Sequence, residues 1–178
     1  MTQFTVPTQD NISPANQAIF DNLKKGLGFV PNLYATFAYS EHALGNYLAL
    51  QNAKSSITGK AREVINLVVS QVNACEYCLA AHTALGKMVG FSEAQVLEIR
   101  SGRVSFDAKL DALARLVKSM VTERGRAAPA LVEAFFAAGW TREHLIDAIV
   151  IVGDKTVANY LHGTTRVPVD FPAAVALP

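Results

Sequence analysis

A 178-residue chain with 16 basic and 15 acidic side chains and a net charge of +1 carries no basic stripe for nucleic acid and no charged tail for a polar partner. It is 51% hydrophobic and only 17% charged, yet no run approaches the roughly 18 apolar residues that a membrane-spanning helix needs. The length suits one compact domain, 1–178, and the apolar excess reads as surface buried between subunits of a homo-oligomer.

The opening MTQFTVPTQDNISP has no basic n-region and no apolar h-region, so no secretory leader is expected and the protein is read as cytoplasmic. In a reducing compartment, two close cysteines point to catalysis or metal binding rather than to a structural staple.

Helix punctuation then recurs along the chain. Ser13-Pro14 is an N-cap followed by a first-turn proline, with Gly26 and Gly28 closing that helix. Pro31 opens a short helix through Phe37. A longer one is expected from Ser40 to about Lys54, with Leu44, Tyr47 and Leu48 on one face. Thr58 caps GKAREVINLVVSQVN, whose apolar positions wrap most of the way round, as in a central, largely buried helix. Its β-branched content would also allow a strand; length and flanks favour helix. The next helix covers 75–89, with Gly90 as its C-terminal cap. Ser92 and Gln95 form a capping box for a helix ending near Arg100.

Asp107 caps a helix to about Arg124, with Leu110, Leu113, Leu116, Val117 and Met120 at helical spacing. A short helix runs from Pro129 to Ala138. Thr141 caps the last long one, reaching His162 before Gly163. The tail VPVDFPAAVALP, with three prolines, should be extended. No period-two alternation competes, so the fold class is all-α, with about eight helices.

The chemistry concentrates in ACEYCLAAHTALG, residues 74–86, which holds both cysteines and one of four histidines. On a helix, Cys78 lies about 60° from Cys75 with His82 between them, and the two cysteine Cα atoms are about 5 Å apart, within disulfide reach. A free thiol titrates near 8.5, and the reactive species is the thiolate. A first-turn position and a nearby imidazole both lower that value. The spacing therefore supports a nucleophile, a second thiol and a base within eight residues. Zinc ligation by Cys75, Cys78 and His82 is the rival, although a structural site normally draws a fourth ligand from a second knuckle. A pair of buried core cysteines is the bland alternative.

At these residues the chain resembles the alkyl hydroperoxidase D-like (AhpD-like) group of the carboxymuconolactone decarboxylase family. The shared pattern is a glutamate, eleven intervening residues, then CxxCxxxH, here EVINLVVSQVNACEYCLAAH from Glu63 to His82. The likeness extends to GFVPNLYATF, GKAREVINL and NYLHGTTRVPVDFP. It implies an all-helical fold, assembly as a trimer, dimer or hexamer, and an antioxidant thiol peroxidase. Cys78 would attack the hydroperoxide and become a sulfenic acid. Cys75 would resolve it and give the leaving hydroxide its proton. Glu63 and His82 would form the relay that activates Cys78. The resemblance also implies a hydroperoxide substrate and an external dithiol or disulfide reductant. No cofactor or metal is implied, and lactone decarboxylation is not expected, because family decarboxylases lack the cysteine pair.

Residue reading alone would leave Glu63 on a solvated face. On one continuous helix it lies about 18 Å and 120° from Cys75, so it reaches the site only if the chain bends near Asn73-Ala74. One position departs from the pattern: some peroxidase members carry a histidine just before the second cysteine, and here that residue is Tyr77. A phenol titrating near 10 is a poor shuttle at neutral pH. This keeps a second reading open, a disulfide-exchange or redox-sensing module without significant peroxidase turnover. His42 is read as surface, His144 as paired or packed in the first turn of the last helix, and Trp140 as core or interface. Asn159, Tyr160 and His162 are minor candidates for a pocket or subunit contact. Phe171 and Leu177 in the tail are candidates for clasping a neighbouring subunit.

Overall fold

The computed structural model describes residues 4–177. The opening Met-Thr-Gln and the final Pro178 lie outside them. Among the described residues there are nine α-helices, one short 3-10 turn at Gln9–Asn11 and no strand. None of these helices is long and apolar enough to cross a membrane. The all-α expectation holds.

The helices are α1 Pro14–Leu27, α2 Asn32–Phe37, α3 Ala43–Gln51, α4 Gly59–Val72, α5 Glu76–Met88, α6 Glu93–Arg100, α7 Ala108–Thr122, α8 Pro129–Ala137 and α9 Arg142–Thr165. Most boundaries follow side-chain chemistry. The Ser13 side chain accepts from the Asn16 amide, Asp107 accepts from Lys109 and Leu110, and Ser92–Gln95 and Thr141–His144 close as full capping boxes. Two boundaries differ from the sequence reading. α3 begins at Ala43, because Ser40 turns its hydroxyl onto the Ala43 amide and acts as a local turn. α9 runs through Gly163 to Thr165; no atom crowds that glycine, and the helix stops at Arg166, whose φ is 52°, two residues before Pro168.

α4 is the pivot. Every residue from Glu63 to Ser70 is buried, and α5, α6, α7 and α9 all pack on it. One face belongs to the larger core, with Leu67, Val68, Leu113, Leu116, Val117 and Phe135 at its centre. Trp140 stacks on Phe135 at 5.5 Å, and its indole nitrogen donates to the Lys109 carbonyl at 2.9 Å, which makes it core. A second apolar cluster gathers α1–α3, the α5 start, Ala158 and Val167. The cysteine pair sits in this second cluster, beside α4.

α4 ends in a tight double closure. The Cys75 amide donates to the Ser70 carbonyl at 3.0 Å and the Ala74 amide to the Gln71 carbonyl at 3.1 Å. This is a Schellman motif with Ala74 in the left-handed position at φ 51°, a place usually taken by glycine. Cys75 is at once the N-cap of α5. The reversal thus takes two residues, and it falls at the Asn73-Ala74 position where a bend was needed.

The tail is extended and lies against its own chain. Phe171 packs edge-on to Phe29 and Tyr77, and Asp170 accepts from the Asn32 amide at 2.8 Å. Phe171 is partly buried by those contacts within its own chain. Leu177 is half-buried.

Two substitutions test this account by chemical denaturation. Leu113→Ala, at a site with no exposure, is expected to cost about 2–5 kcal/mol of stability. Ala74→Gly relieves the left-handed backbone and should leave stability unchanged or raise it by up to about 1 kcal/mol, whereas Ala74→Val should lower it by about 1–2 kcal/mol.

Candidate functional site

Glu63 lies on the second turn of α4 and His82 on the second turn of α5. Because α5 folds back at Ala74, the two meet. The His82 Nδ1–H donates to Glu63 Oε2 at 2.8 Å, and both side chains are buried. Asn66, one turn along α4, donates its amide to the other carboxylate oxygen at 3.0 Å. With Nδ1 committed as donor, the His82 Nε2 is the basic nitrogen.

Burial pushes the Glu63 carboxyl up, but His82, Asn66 and the Lys155 charge together outweigh it and hold it below its usual range. Burial, then the Lys155 charge, hold His82 below its ordinary value against the pull of Glu63. The pair therefore rests as carboxylate and neutral imidazole, the form in which His82 can accept a proton.

The thiols are unbridged and almost fully covered, with exposures of 1% for Cys75 and 2% for Cys78. As N-cap, Cys75 takes the Cys78 backbone N–H on its sulfur at 3.3 Å. The two thiols act on each other in opposite directions. Hydrogen bonding from Cys78 lowers the Cys75 thiol, and His162 lowers it further against the opposing effect of burial. The same contact, with burial, pushes Cys78 up, while Lys155 and Asn159 pull it back. Cys75 is thus the thiol favoured to ionise, and Cys78 the one favoured to keep its proton.

The structure brings Glu63 to His82 and Cys75 to Cys78, with Cys78 one turn before His82 on α5. It also adds groups that sequence reasoning missed or underweighted. Lys155, Asn159 and His162 recur at i, i+4 and i+7 on α9, all buried and all acting on the cysteine site. Asn159 is fixed by the Asn73 amide at 3.0 Å and donates to Ser70 at 3.4 Å. The helical period of these three polar residues was the available signal. Tyr160 points away and is 65% exposed.

Tyr77 is committed elsewhere. Its hydroxyl donates to Asp170 at 2.5 Å and accepts the Leu33 amide at 3.3 Å. Burial, then Asp170, push that phenol further up, so it carries no proton traffic at neutral pH. Among the described residues no three His, Cys, Asp or Glu side chains are grouped so as to hold a metal ion; His82 turns its Nδ1 to Glu63 instead. His42 is exposed, and His144 accepts the Thr141 amide in its capping box at 3.1 Å with its ring against Trp140.

Residues 40–119 match the model of the carboxymuconolactone decarboxylase family. No curated protein matches the sequence. Among solved structures, an uncharacterized peroxidase-related protein from Silicibacter sp. TM1040 is 22% identical with a TM-score of 0.79, over 97% of this chain and 91% of that one. The alkylhydroperoxidase AhpD core of an uncharacterized peroxidase-related protein from Ralstonia eutropha JMP134 is 20% identical with a TM-score of 0.81, over 91% and 88%. The debrominase Bmp8 is 15% identical with a TM-score of 0.78, over 96% and 93%. The fold is that of these proteins, and the stretch that matches the family model contains Glu63, Cys75, Cys78 and His82.

The two site histidines give opposite pH signatures. The His82 value is depressed on folding, so the unfolded chain binds more protons below about 6.5 and stability falls with acidification there. The His162 value is raised, so its contribution is present at low pH and lost as pH rises. Urea denaturation at pH 7.5 and 5.5 should show a smaller loss of stability on acidification for His82→Gln than for wild type.

Proposed function

We propose that this AhpD-like chain of the carboxymuconolactone decarboxylase family is a thiol-dependent peroxidase that reduces hydroperoxides through Cys75 and Cys78. The observation that carries the reading is the buried Glu63–His82 pair, 2.8 Å apart, set one turn beyond Cys78 with its carboxylate pinned by Asn66. A buried carboxylate that holds a neutral imidazole in one tautomer serves a proton transfer better than it serves packing.

In this mechanism the neutral His82 takes the Cys78 proton, and Glu63 stabilises the imidazolium. The Cys75 contact and burial oppose ionisation of Cys78, and Lys155 and Asn159 act against them in favour of the thiolate. That sulfur attacks the nearer peroxide oxygen; the O–O bond breaks, the alkoxide takes the proton of the His82 imidazolium and leaves as the alcohol, and Cys78 becomes a sulfenic acid. Cys75, the thiol favoured to ionise, attacks that sulfur and closes the disulfide. An external dithiol of a reducing cytoplasm then restores both thiols.

Exposed Ile146, Ile149, Val150, Val157 and Tyr160 form an apolar stripe on the solvent side of α9, which we assign to a contact between copies of the chain.

Mixing the reduced protein with sub-stoichiometric cumene hydroperoxide tests the chemistry by mass spectrometry. Wild type should lose two hydrogens' mass. Cys75→Ser should trap a sulfenic acid on Cys78, Cys78→Ser should lose turnover, and His82→Gln should slow oxidation by about 100-fold or more. Full turnover in Cys78→Ser would overturn the assignment.

A thiol–disulfide exchange module is the second reading, favoured by the lowered value of the Cys75 thiol. Oxidation by a small disulfide faster than by hydroperoxide would select it.

A further inference from the structure

His162 stands apart from the Glu63–His82 relay. It comes from the last turn of α9, is 8% exposed, and lies beside Cys75, whose neighbours Ala74 and Glu76 line the same groove as the ring. Its Nε2 lies 3.2 Å from the Val167 carbonyl. A carbonyl only accepts, so Nε2 carries the proton there and Nδ1 is the ring's basic nitrogen. The ring is held by the left-handed turn at Arg166, which swings Val167 back under the helix end, and by the Tyr77 ring, 5.5 Å away. It borders an open groove lined by Ala74, Glu76, His162, Arg166 and Val167, so it can exchange protons with water.

We propose that His162 and Cys75 form a second thiol–imidazole dyad that serves the resolving step, resting on the peroxidase reading above. His162 holds the Cys75 proton in the reduced enzyme and returns it to the departing hydroxide when the disulfide closes.

The step balances. The Cys75 thiolate attacks the Cys78 sulfenic sulfur, so an S–S bond forms and the S–O bond breaks. Cys75 sulfur is oxidised and Cys78 sulfur reduced. Hydroxide leaves, takes the proton of the His162 imidazolium and departs as water, leaving His162 neutral. Cys75 cannot itself be the proton donor here, because it enters as the thiolate; this replaces the donor role that the family resemblance implied for it.

The two bases lie on different helices, His82 on α5 and His162 on α9. The two thiols are therefore served separately, one for attack on the peroxide and one for closure. The Cys75 contact raises the His162 value, burial opposes that, and Glu76 adds to the rise. The charged and titratable groups around the ring are Cys75 and Glu76 on α5, the Tyr77 phenol with its Asp170 partner, and Arg166 on the same groove wall.

Two measurements on full-length protein test the dyad. In the first, His162→Gln and His162→Asn are mixed with cumene hydroperoxide and a sulfenic-acid trap, with circular dichroism checking the fold. Disulfide closure should slow at least about tenfold, and a Cys78 sulfenic acid that wild type does not accumulate should be trapped. Closure at the wild-type rate in both folded variants overturns the proposal. In the second, iodoacetamide alkylation of Cys75 is followed against pH in Cys78→Ser, with and without His162→Gln. The midpoint should move up by about one pH unit or more when the imidazole is removed; an unmoved midpoint also overturns it. If peroxide oxidises neither thiol in wild type, the peroxidase reading and the resolving step fall together, and the alkylation midpoint alone decides the dyad.

Discussion

Everything at this site depends on a two-residue reversal. Ser70, Gln71, Ala74 and Cys75 close α4 with paired backbone hydrogen bonds, and the last of these residues immediately opens α5. A longer loop would let α5 drift along α4, and the Glu63–His82 contact tolerates little drift before 2.8 Å is lost. The reversal also makes Cys75 an N-cap, so its sulfur faces backbone N–H groups at the positive end of a helix. One local backbone event therefore positions the relay and polarises the thiol. An alanine in a left-handed conformation is the conformational cost of doing this in so few residues.

The second organising element is α9. Its solvent side is apolar and its inner side carries Asp154, Lys155, Asn159 and His162, the reverse of an ordinary surface helix. Burying such charges is expensive unless they work on one another. Here Arg62 pairs with Asp154 at 3.8 Å, and Lys155 acts on Glu63, His82 and Cys78. The cluster keeps the imidazole neutral, the carboxylate ionised and the sulfurs unequal. That inequality distinguishes a reactive pair from two cysteines that merely fill a core.

Much of this was legible in advance, for definable reasons. Caps and helical spacing located the helices, because Ser13, Ser92, Asp107 and Thr141 act through bonds only two or three residues long. The near-continuous apolar wrap of 64–69 marked α4 as central. Glu63 was legible only through the spacing pattern, since its partner lies across a turn whose angle no local rule supplies. Lys155 was invisible for the same reason, and a buried lysine is rare enough to be passed over. The reach of α9 past Gly163 escaped because a glycine punctuates only where the backbone needs positive φ, and that need falls at Arg166. The place of Phe171 within its own chain was not legible because the tail has no periodicity; it is set by Asp170 and Tyr77, far apart in the chain.

The phenol between the two cysteines is where the CxxC segment is riveted to the rest of the protein. Tyr77 joins the start of α2, through the Leu33 amide, to the C-terminal strap, through Asp170. Asp170 in turn holds the Asn32 amide, so three distant segments share one hydroxyl and one carboxylate. The CEYC cassette is consequently not portable. Grafted onto a scaffold without the strap, it would carry a buried hydroxyl with no acceptor, and truncating this chain before Asp170 would inflict the same injury at home. Any redesign of the redox pair therefore has to treat residues 32, 77 and 170 as a single unit.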